Sequence, residues 1–186
     1  MPEYWEGDIP WITSGTLTSL LLDRSDRRVT PAGIRNGTRL VGRDTLLFVV
    51  RGMSLVKEFR VGIADVPLAF GQDCKALVAK PGVLPLFLAF AVVTRASEIQ
   101  GMVELAGHGT GKLSTDRLKA IQIPLPPEDL QARFVEAVTP LREAMTAARL
   151  INDQLVATRA LLLPPLLSGT LEMSQIDADS ADASVA

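Results

Sequence analysis

A histidine and a lysine lie within the glycine-rich stretch 107–112, Gly-His-Gly-Thr-Gly-Lys, whose residue types suit phosphate binding. A nucleotide-binding phosphate loop needs a glycine six residues before its lysine and a serine or threonine directly after it. Ala106 and Leu113 occupy those two positions, so the pattern argues against a nucleotide site. We interpret the stretch as a flexible loop whose glycines let backbone amides approach a phosphate closely, while Lys112 adds positive charge.

Cys74 and His108 are the single cysteine and the single histidine of the sequence, and such a pair can act as nucleophile and base. A third group that would orient them is missing, so a core thiol and a loop histidine are the commoner arrangement. The sequence also lacks the ligand spacing of a zinc or nuclease site and the glycine loop and catalytic tetrapeptide of methyltransferases. We therefore expect a chain without catalytic activity, metal or cofactor of its own, working in a reducing cytoplasm.

Seven arginines fall within 28 residues of the first third of the chain. Their planar guanidinium groups suit phosphate and guanine recognition, but aspartates at positions 23, 26 and 44 would equally make this a solvated surface. The net charge is −2, yet residues 1–124 hold 15 basic against 12 acidic residues, and residues 125–186 hold 4 against 9. This distribution permits a local positive face for nucleic acid. The seven are Arg24, Arg27, Arg28, Arg35, Arg39, Arg43 and Arg51.

The elements that would position these residues are both strands and helices, which indicates the α+β class with a mixed α/β domain over residues 1–124. Asn36-Gly37 has the residue types of a tight hairpin turn. The apolar run Val83–Ala96 predicts a helix packed across the sheet. Apolar and β-branched runs predict strands at Thr45–Val50, Leu55–Ile63 and Lys119–Pro124.

A long helix is predicted from Glu128 to Leu163, after a proline-rich break at 124–127. Its apolar residues alternate three and four apart, as in a coiled coil, and over roughly 50 Å such a stripe needs a partner. Pro140 should bend this helix or end its first segment, and Pro164-Pro165 should stop it. Asn152 could set the register of a helix pair. These seam residues are Phe134, Val138, Leu141, Met145, Ala148, Asn152, Leu155 and Leu162.

The ends of the chain and its most apolar stretch predict a protein that neither crosses nor is exported through a membrane. The first nine residues contain three acids and no basic segment of a signal peptide. Leu84–Val93 is about half the roughly 20 residues that a membrane span requires. Residues 170–186 form an acidic tail rich in alanine, serine and aspartate, which we expect to be disordered.

Several short motifs occur in a fixed order along the chain. Together they resemble the specificity subunit of type I restriction–modification systems over nearly all of residues 2–173. The closing segment departs from that pattern, because Leu130 separates Asp129 from Gln131 where the family usually has an adjacent acid-glutamine pair. The motifs are PEYWEGDIPWITSG (2–15), VTPAGI (29–34), RGMS (51–54), FGQD (70–73), GTGKLS (109–114), IPLPPE (123–128) and LPPLLSG (163–169).

The resemblance implies a target-recognition domain over 1–124 that reads half of a bipartite DNA site, and a conserved spacer and docking helix over 125–169. It also implies modification subunits that use S-adenosylmethionine and restriction subunits that use ATP and Mg²⁺. Arginine and lysine would neutralise phosphates, and small polar side chains would read base edges. Trp11 would be either a core residue, which we favour, or a shape-reading contact. The candidate DNA-binding residues are Thr13, Ser14, Arg51, Ser54, Thr110 and Lys112.

Two departures from the family pattern leave alternatives open. A full subunit has two recognition domains and two helices, so either two copies of this chain pair through their helices or the sequence is a fragment. About twenty residues that usually precede the first motif, including a first strand, are missing here, and a sheet edge could be left open. The alternative function is that of a truncated interaction module that binds modification subunits without reading DNA. A stand-alone enzyme is the least favoured class.

Overall fold

The computed structural model of the chain describes residues 1–170, apart from the His108 side chain, and confirms the α+β class. The predicted acidic tail lies, beyond Thr170, outside the described residues. Short 3-10 helices occupy Pro2–Tyr4 and Gly107–Gly109. The strands are β1 Trp5–Ile12, β2 Leu21–Leu22, β3 Arg28–Val29, β4 Leu40–Val41, β5 Leu46–Val49, β6 Arg51–Gly52, β7 Val61–Ala64, β8 Leu68–Phe70, β9 Cys74–Leu77, β10 Glu104–Ala106 and β11 Thr110–Lys112. The α-helices are α1 Pro31–Gly37, α2 Ser54–Lys57, α3 Pro85–Val93, α4 Ala96–Gln100, α5 Thr115–Lys119 and α6 Glu128–Leu167.

The chain divides into two compact units, residues 1–137 and the remainder from Val138 onward. The first unit holds strands β1 to β11 and the first ten residues of α6. The second unit, as far as it is described, is the rest of α6 and the turn that ends it.

A four-stranded sheet of order β2-β7-β5-β9 forms the centre of the first unit. All four residues of β5 are buried, as expected for an uninterrupted apolar run that lies between two neighbouring strands. Strand β5 is antiparallel to both β7 and β9, and β2 runs parallel to β7. The strand predicted at Thr45–Val50 is therefore confirmed.

Two further sheets flank this core. One has the order β3-β1-β8-β4, with β1 antiparallel to β3 and parallel to β8. The other is the three-stranded sheet β10-β11-β6, in which β10 and β11 form a hairpin around the 3-10 turn at 107–109. Gly109 has a φ of 71°, a conformation that only glycine adopts without strain, so the glycine-rich stretch is a hairpin connection.

The hairpin turn predicted at Asn36-Gly37 was wrong, because these two residues end helix α1. The Thr30 hydroxyl accepts a hydrogen bond from the Gly33 N–H at 3.2 Å, and Pro31 fills the first helical position, where no N–H is required. The Thr-Pro start signal thus lies upstream of the turn-forming pair and decides the local structure.

Two strand predictions also need correction. Residues 55–63 divide into α2 and, after a break, β7, since the Glu58 N–H bonds the Ser54 carbonyl and closes a helical turn. Residues 120–124 follow α5 without forming a strand. Pro124 has no N–H to donate to a ladder, and the Ile121 N–H is already used by the Leu118 carbonyl in a turn.

Both predicted helices are confirmed, with shifted ends. The first is α3, whose Leu86, Ala89 and Val92 are buried. The second, α6, is continuous through Pro140, which ends no segment, and through Pro164-Pro165, so the stop predicted at these two prolines was wrong; the helix ends four residues later than Leu163. Its end is fixed by Gly169, which has a φ of 70° and donates its N–H to the Leu166 carbonyl.

Candidate nucleic-acid interface

The pairing of β6 with β11 brings together two of the predicted DNA-binding residues from distant parts of the chain. Arg51 lies directly opposite Lys112 in the antiparallel ladder, and Gly52 lies opposite Gly111. Opposed residues project to the same face of a sheet, so two like charges share one surface. Both side chains are exposed, and neither forms an ion pair within the described chain.

Two glycines allow the neighbouring loops to close on this ladder. A Cβ at Gly111 would lie 3.1 Å from the Val56 nitrogen, so β11 can approach α2 only without a side chain there. Gly52 has a φ of 146°, and its Cβ position lies 3.7 Å from the Ser14 side chain and 3.8 Å from the Ser54 hydroxyl oxygen. The ladder therefore gathers Ser14 and Ser54 around its edge.

The loop after β1 has a rigid internal hydrogen-bond pattern. The Thr13 N–H donates to the Thr16 hydroxyl at 2.9 Å, and the Thr16 N–H donates to the Thr13 hydroxyl at 3.2 Å. The Arg60 guanidinium donates to the Ser14 carbonyl at 3.3 Å. The Thr13 hydroxyl is thus committed to its own turn, whereas no hydrogen bond of the described chain uses the Ser14 hydroxyl.

Two adjacent cavities with both polar and apolar walls form a groove beside the ladder, which we call the polar groove after its charged and amide side chains. The larger, of about 540 Å³, and the smaller, of about 280 Å³, share Gln72 and Asp73 in their walls. Together they bring Thr13 and Ser14 into one surface with Arg51 and Lys112. The larger is lined by Val50, Arg51, Gln72, Asp73, Lys75, Lys112, Leu113, Ser114, Thr115 and Asp116, and the smaller by Trp11, Thr13, Ser14, Gly37, Phe70, Gly71, Gln72 and Asp73.

Thr110 and Ser54 lie near the polar groove but line neither of its cavities. Thr110 is half-buried at the start of β11, opposite Ala106. Ser54 begins α2, and the carbonyl of the following residue, Leu55, accepts a hydrogen bond from the Gln100 side chain at 2.9 Å. Gln100 thereby holds the segment that carries Ser54.

Trp11 is half-buried at the margin of the groove, so its placement in the core was wrong. Its ring meets that of Trp5 edge to face at 4.9 Å, although five residues lie between them on β1. The strand is irregular between these positions, since both Trp5 and Ile9 pair with Val29. The Arg27 guanidinium lies 3.8 Å from the Trp5 ring centroid and 4.8 Å from that of Trp11.

The seven arginines do not all follow one of the two interpretations that the sequence left open, a solvated surface or a nucleic-acid contact. Arg24 pairs with Asp23 at 3.4 Å and Arg43 pairs with Asp65 at 3.3 Å, as on a solvated surface. Arg51 belongs to the polar groove instead. The structure adds Gln72 and Lys75 to the groove, and sequence reasoning did not select either one. The Lys75 ammonium group donates a hydrogen bond to the Thr115 hydroxyl. The strand register that turns Lys75 in this direction has no local sequence signal.

The thiol of Cys74 is buried in the core, where only 3% of the residue is exposed. Burial, with a smaller contribution from the neighbouring Asp73 carboxylate, raises the pKa of the Cys74 thiol to about 12. A thiol with so high a pKa is a poor nucleophile near neutral pH, which agrees with a core thiol. Across the described residues, no group of three or more histidine, cysteine, aspartate or glutamate residues is arranged to hold a metal ion.

The start of helix α6 is fixed to the first unit by a buried glutamine. Gln131 is 1% exposed, and its amide accepts from the Leu84 N–H at 2.9 Å and donates to the Pro126 and Gly82 carbonyls at 2.9 and 3.3 Å. Phe134, the first seam residue, packs edge to face on Phe87 and Phe90 of α3, with ring centroids 5.8 Å apart in each case. Phe134 therefore packs against its own domain.

The later seam residues are mostly open to solvent. Leu141 is 65% and Leu155 63% exposed, and Met145 and Leu162 are also exposed. Ala148 and the polar Asn152 are exposed as well, and Val138 is half-buried. Further apolar side chains, including Ile151 and Val156, widen this face. Among residues 1–170 no helix is both long and apolar enough to cross a membrane.

A sequence-family comparison decides what kind of domain carries this surface. The family described as the type I restriction modification DNA specificity domain matches residues 2–155, which include the groove and the first part of α6. The chain belongs to this family. The resemblance drawn from the ordered motifs is thereby confirmed.

Two curated relatives of this specificity-domain family agree with the assignment. A type I restriction enzyme specificity subunit of Escherichia coli is 29% identical over 136 residues, covering 72% of this chain and 34% of the relative. One from Methanocaldococcus jannaschii is 30% identical over 135 residues, covering 69% of this chain and 30% of the relative. The chain thus spans about a third of the length of the curated relatives that it matches.

The fold of the specificity domain also matches a solved structure. A chain from a structure of the type I restriction–modification system, concerned with complex assembly and conformational transition, aligns with a TM-score of 0.54 at 16% identity. The alignment covers 87% of this chain and 38% of that chain. It supports a shared architecture.

Proposed function

We propose that this chain binds duplex DNA sequence-specifically and directs the modification and restriction subunits of a type I system to one half of a bipartite target. Membership of the specificity-domain family supports this role. The single observation that carries it is the unpaired Arg51–Lys112 couple on the floor of a polar groove.

The electrostatics of that couple favour a polyanion. Two like charges opposed on one sheet face repel each other, which costs free energy in the isolated protein. A phosphate backbone placed over them would remove this repulsion and release its own counterions. Lys75 lies in the same groove, so three cations could follow a phosphate strand. Asp73 and Asp116 in the same walls would disfavour phosphates nearby and so restrict the path that the strand can take.

Base reading would fall to the uncharged side chains beside these cations. Ser14 and Ser54 lie at the edge of the ladder, and a serine hydroxyl can donate or accept at a base edge. Thr13 and Thr110 remain candidates, but the Thr13 hydroxyl would have to leave its turn to reach a base. We propose that Arg51 either reads a guanine or neutralises a phosphate. Mutagenesis of Arg51 can distinguish these two roles.

The exposed face of α6 would dock on other chains. Several leucines of this helix are exposed beside Ile151 and Val156. Burial of such an apolar stripe is what stabilises helix pairs. We propose the modification subunits as its partners, and a second copy of this chain as a further one. Two copies related by a two-fold axis would require a palindromic bipartite target.

Catalysis would belong to the partners. We propose that S-adenosylmethionine, ATP and Mg²⁺ bind to the modification and restriction subunits and that this chain contributes no reacting group. Because such a system acts on cellular DNA, the complex would work in the cytoplasm.

An electrophoretic mobility-shift titration with the modification subunits present tests the proposal. Random-sequence duplexes should shift at low salt. If three phosphates are contacted, affinity should fall roughly 40-fold from about 50 to about 200 mM salt. A complex that forms but binds no duplex at either salt concentration would support the interaction-module alternative instead.

A further inference from the structure

Gln72 occupies a central position in the polar groove, because it lines both cavities. On one side of it lie Thr13 and Ser14, and on the other lie Arg51 and Lys112. Its side chain is exposed and forms no hydrogen bond with any described residue.

The backbone under Gln72 is fixed by three hydrogen bonds. The Cys74 N–H donates to the Gly71 carbonyl at 3.1 Å, which closes a four-residue turn between β8 and β9. The Gly71 N–H donates to the Ile12 carbonyl at 2.8 Å, and the Val50 N–H donates to the Asp73 carbonyl at 2.8 Å. The turn is thus tied to the end of β1 and to the residue that precedes Arg51. A side chain on such a support loses little backbone entropy when it binds.

Several other polar side chains of the groove are already occupied or carry the wrong charge. The Lys75 ammonium group is bonded to the Thr115 hydroxyl, and the Thr13 hydroxyl is bonded within its own turn. Asp73 and Asp116 repel a phosphate backbone. Gln72 is the groove residue that offers both a free donor and a free acceptor on one planar group.

A primary amide matches one base edge in the major groove. Adenine presents its N6 amino group as a donor beside N7 as an acceptor, and a glutamine amide can pair with both at once. A phosphate offers acceptors alone, so it would leave the amide oxygen unused. Arg51 and Lys112, on one side of the amide, would hold the backbone while the amide reaches the base.

We propose that Gln72 is a specificity-determining residue that reads an adenine through its N6 and N7 atoms. This inference rests on the proposed function, since it requires a duplex in the groove. It assigns one base of the target to a residue of the turn between β8 and β9.

The test begins with selection of randomised duplexes by the complex of this chain with its modification subunits. The wild-type chain, Gln72→Ala and the control Gln122→Ala are compared, because Gln122 is an exposed glutamine that lines neither cavity. Gln72→Ala should lose the preference for adenine at one position and keep all the others. Gln122→Ala should select the wild-type target.

A single-atom probe then separates base reading from a general loss of binding. Replacing the assigned adenine by 7-deazaadenine removes the N7 acceptor and keeps the N6 amino group, so the wild-type complex should weaken roughly 2- to 12-fold, as for the loss of one hydrogen bond. The same replacement should leave the affinity of Gln72→Ala unchanged.

The possible outcomes separate this inference from the proposed function. A wild-type complex that enriches no sequence would contradict the proposed function and the inference together. If the wild-type complex selects a defined target and Gln72→Ala selects the same target, the inference alone would be overturned. The same holds if Gln72→Ala loses its preference at a base other than adenine. An equal 7-deazaadenine penalty in wild type and Gln72→Ala would overturn it as well.

Discussion

Arg51 and Lys112 stand directly opposite each other on β6 and β11, although 60 residues of sequence lie between them. Both are exposed, and neither has an acidic partner in the described chain. Proteins seldom leave two cations facing each other across a ladder, because the repulsion is uncompensated. Under the proposed function, the pair would be half of an ion pair whose other half is a phosphate.

Alanine replacements at these two positions should reduce DNA affinity in different ways. Lys112→Ala should weaken binding to all sequences alike and lower the slope of log K against log salt by about 1. If Arg51 reads guanine, Arg51→Ala should cost about 1–3 kcal/mol and relax one target position. Fluorescence anisotropy over a salt series measures both.

Lys80→Ala is the matched control for these variants, because Lys80 is exposed but lines neither cavity of the groove. Its salt slope should equal that of the wild type. A uniform loss with Arg51→Ala, without any relaxed position, would mean that Arg51 contacts a phosphate instead. An unchanged slope for Lys112→Ala would contradict the assignment of Lys112.

Gly111→Ala should disturb the groove, whereas Gly107→Ala in the same hairpin should not. A Cβ at Gly111 would lie 3.1 Å from the Val56 nitrogen, while nothing lies within 4 Å of one at Gly107. We expect Gly111→Ala to destabilise the fold by about 1–3 kcal/mol through overpacking and to reduce DNA affinity. Thermal unfolding and mobility-shift assays on both variants provide the comparison, and equal behaviour would count against the close packing of β11 on α2.

Gln131→Leu should weaken the packing of the first turns of α6 within the first unit. The variant leaves the half-buried Leu84 N–H and Pro126 carbonyl without their partner, while water can replace the amide at the exposed Gly82. Each buried polar group left unpaired costs about 1–3 kcal/mol. Urea unfolding should show a loss in this range. Gln154→Leu, at an exposed helix position, is the control and should change stability by less than about 0.5 kcal/mol.

The raised pKa of the Cys74 thiol predicts that the folded chain loses stability at high pH. Its pKa rises from an ordinary value of 9.0 to about 12 in the folded chain, because burial disfavours the thiolate. The folded state therefore retains the proton that the unfolded state releases. This contribution is complete below pH 9 and is lost as the pH rises from 9 toward 12. Unfolding free energies of wild type and Cys74→Ala should converge over that range.

Thiol reactivity gives an independent check on Cys74. Three pKa units correspond to roughly a thousandfold less thiolate near neutral pH. A disulfide reagent should therefore modify the native chain slowly and the urea-unfolded chain quickly. Fast modification of the native chain at pH 7 would show an accessible thiolate and contradict the core assignment.

Leu155→Asp should interfere with helix docking. Leu155 is 63% exposed in the chain alone, so an aspartate there costs little until a partner covers the position. Co-purification with the modification subunits, or self-association in sedimentation velocity, should be lost in this variant. Ala157→Asp, two residues further along the exposed helix, introduces the same charge outside the seam and should leave assembly intact. Loss of assembly in both variants would point to charge alone.

Local rules predicted some features of the chain, whereas the structure corrected two of the three predicted strands and the predicted hairpin turn. The helix at Pro85–Val93 and the long helix from Glu128 follow from proline starts and apolar spacing, and both are present. The strand at Leu46–Val49 follows from its unbroken apolar run. The prediction of a turn at Asn36-Gly37 was wrong because the same residue types are also compatible with the end of a helix, and the start of this helix lies upstream.

The sequence by itself determined the class of the domain, its family and the identity of most candidate residues, because these depend on residue types and their order. Tertiary structure alone decided which of them share a surface. Arg51, Gln72 and Lys112 meet because β6 pairs with β11 and because the turn before β9 is hydrogen-bonded to Val50, the residue before Arg51. Such pairings are long-range hydrogen bonds whose register depends on the whole core. The Trp5–Trp11 contact depends in the same way on an irregular strand.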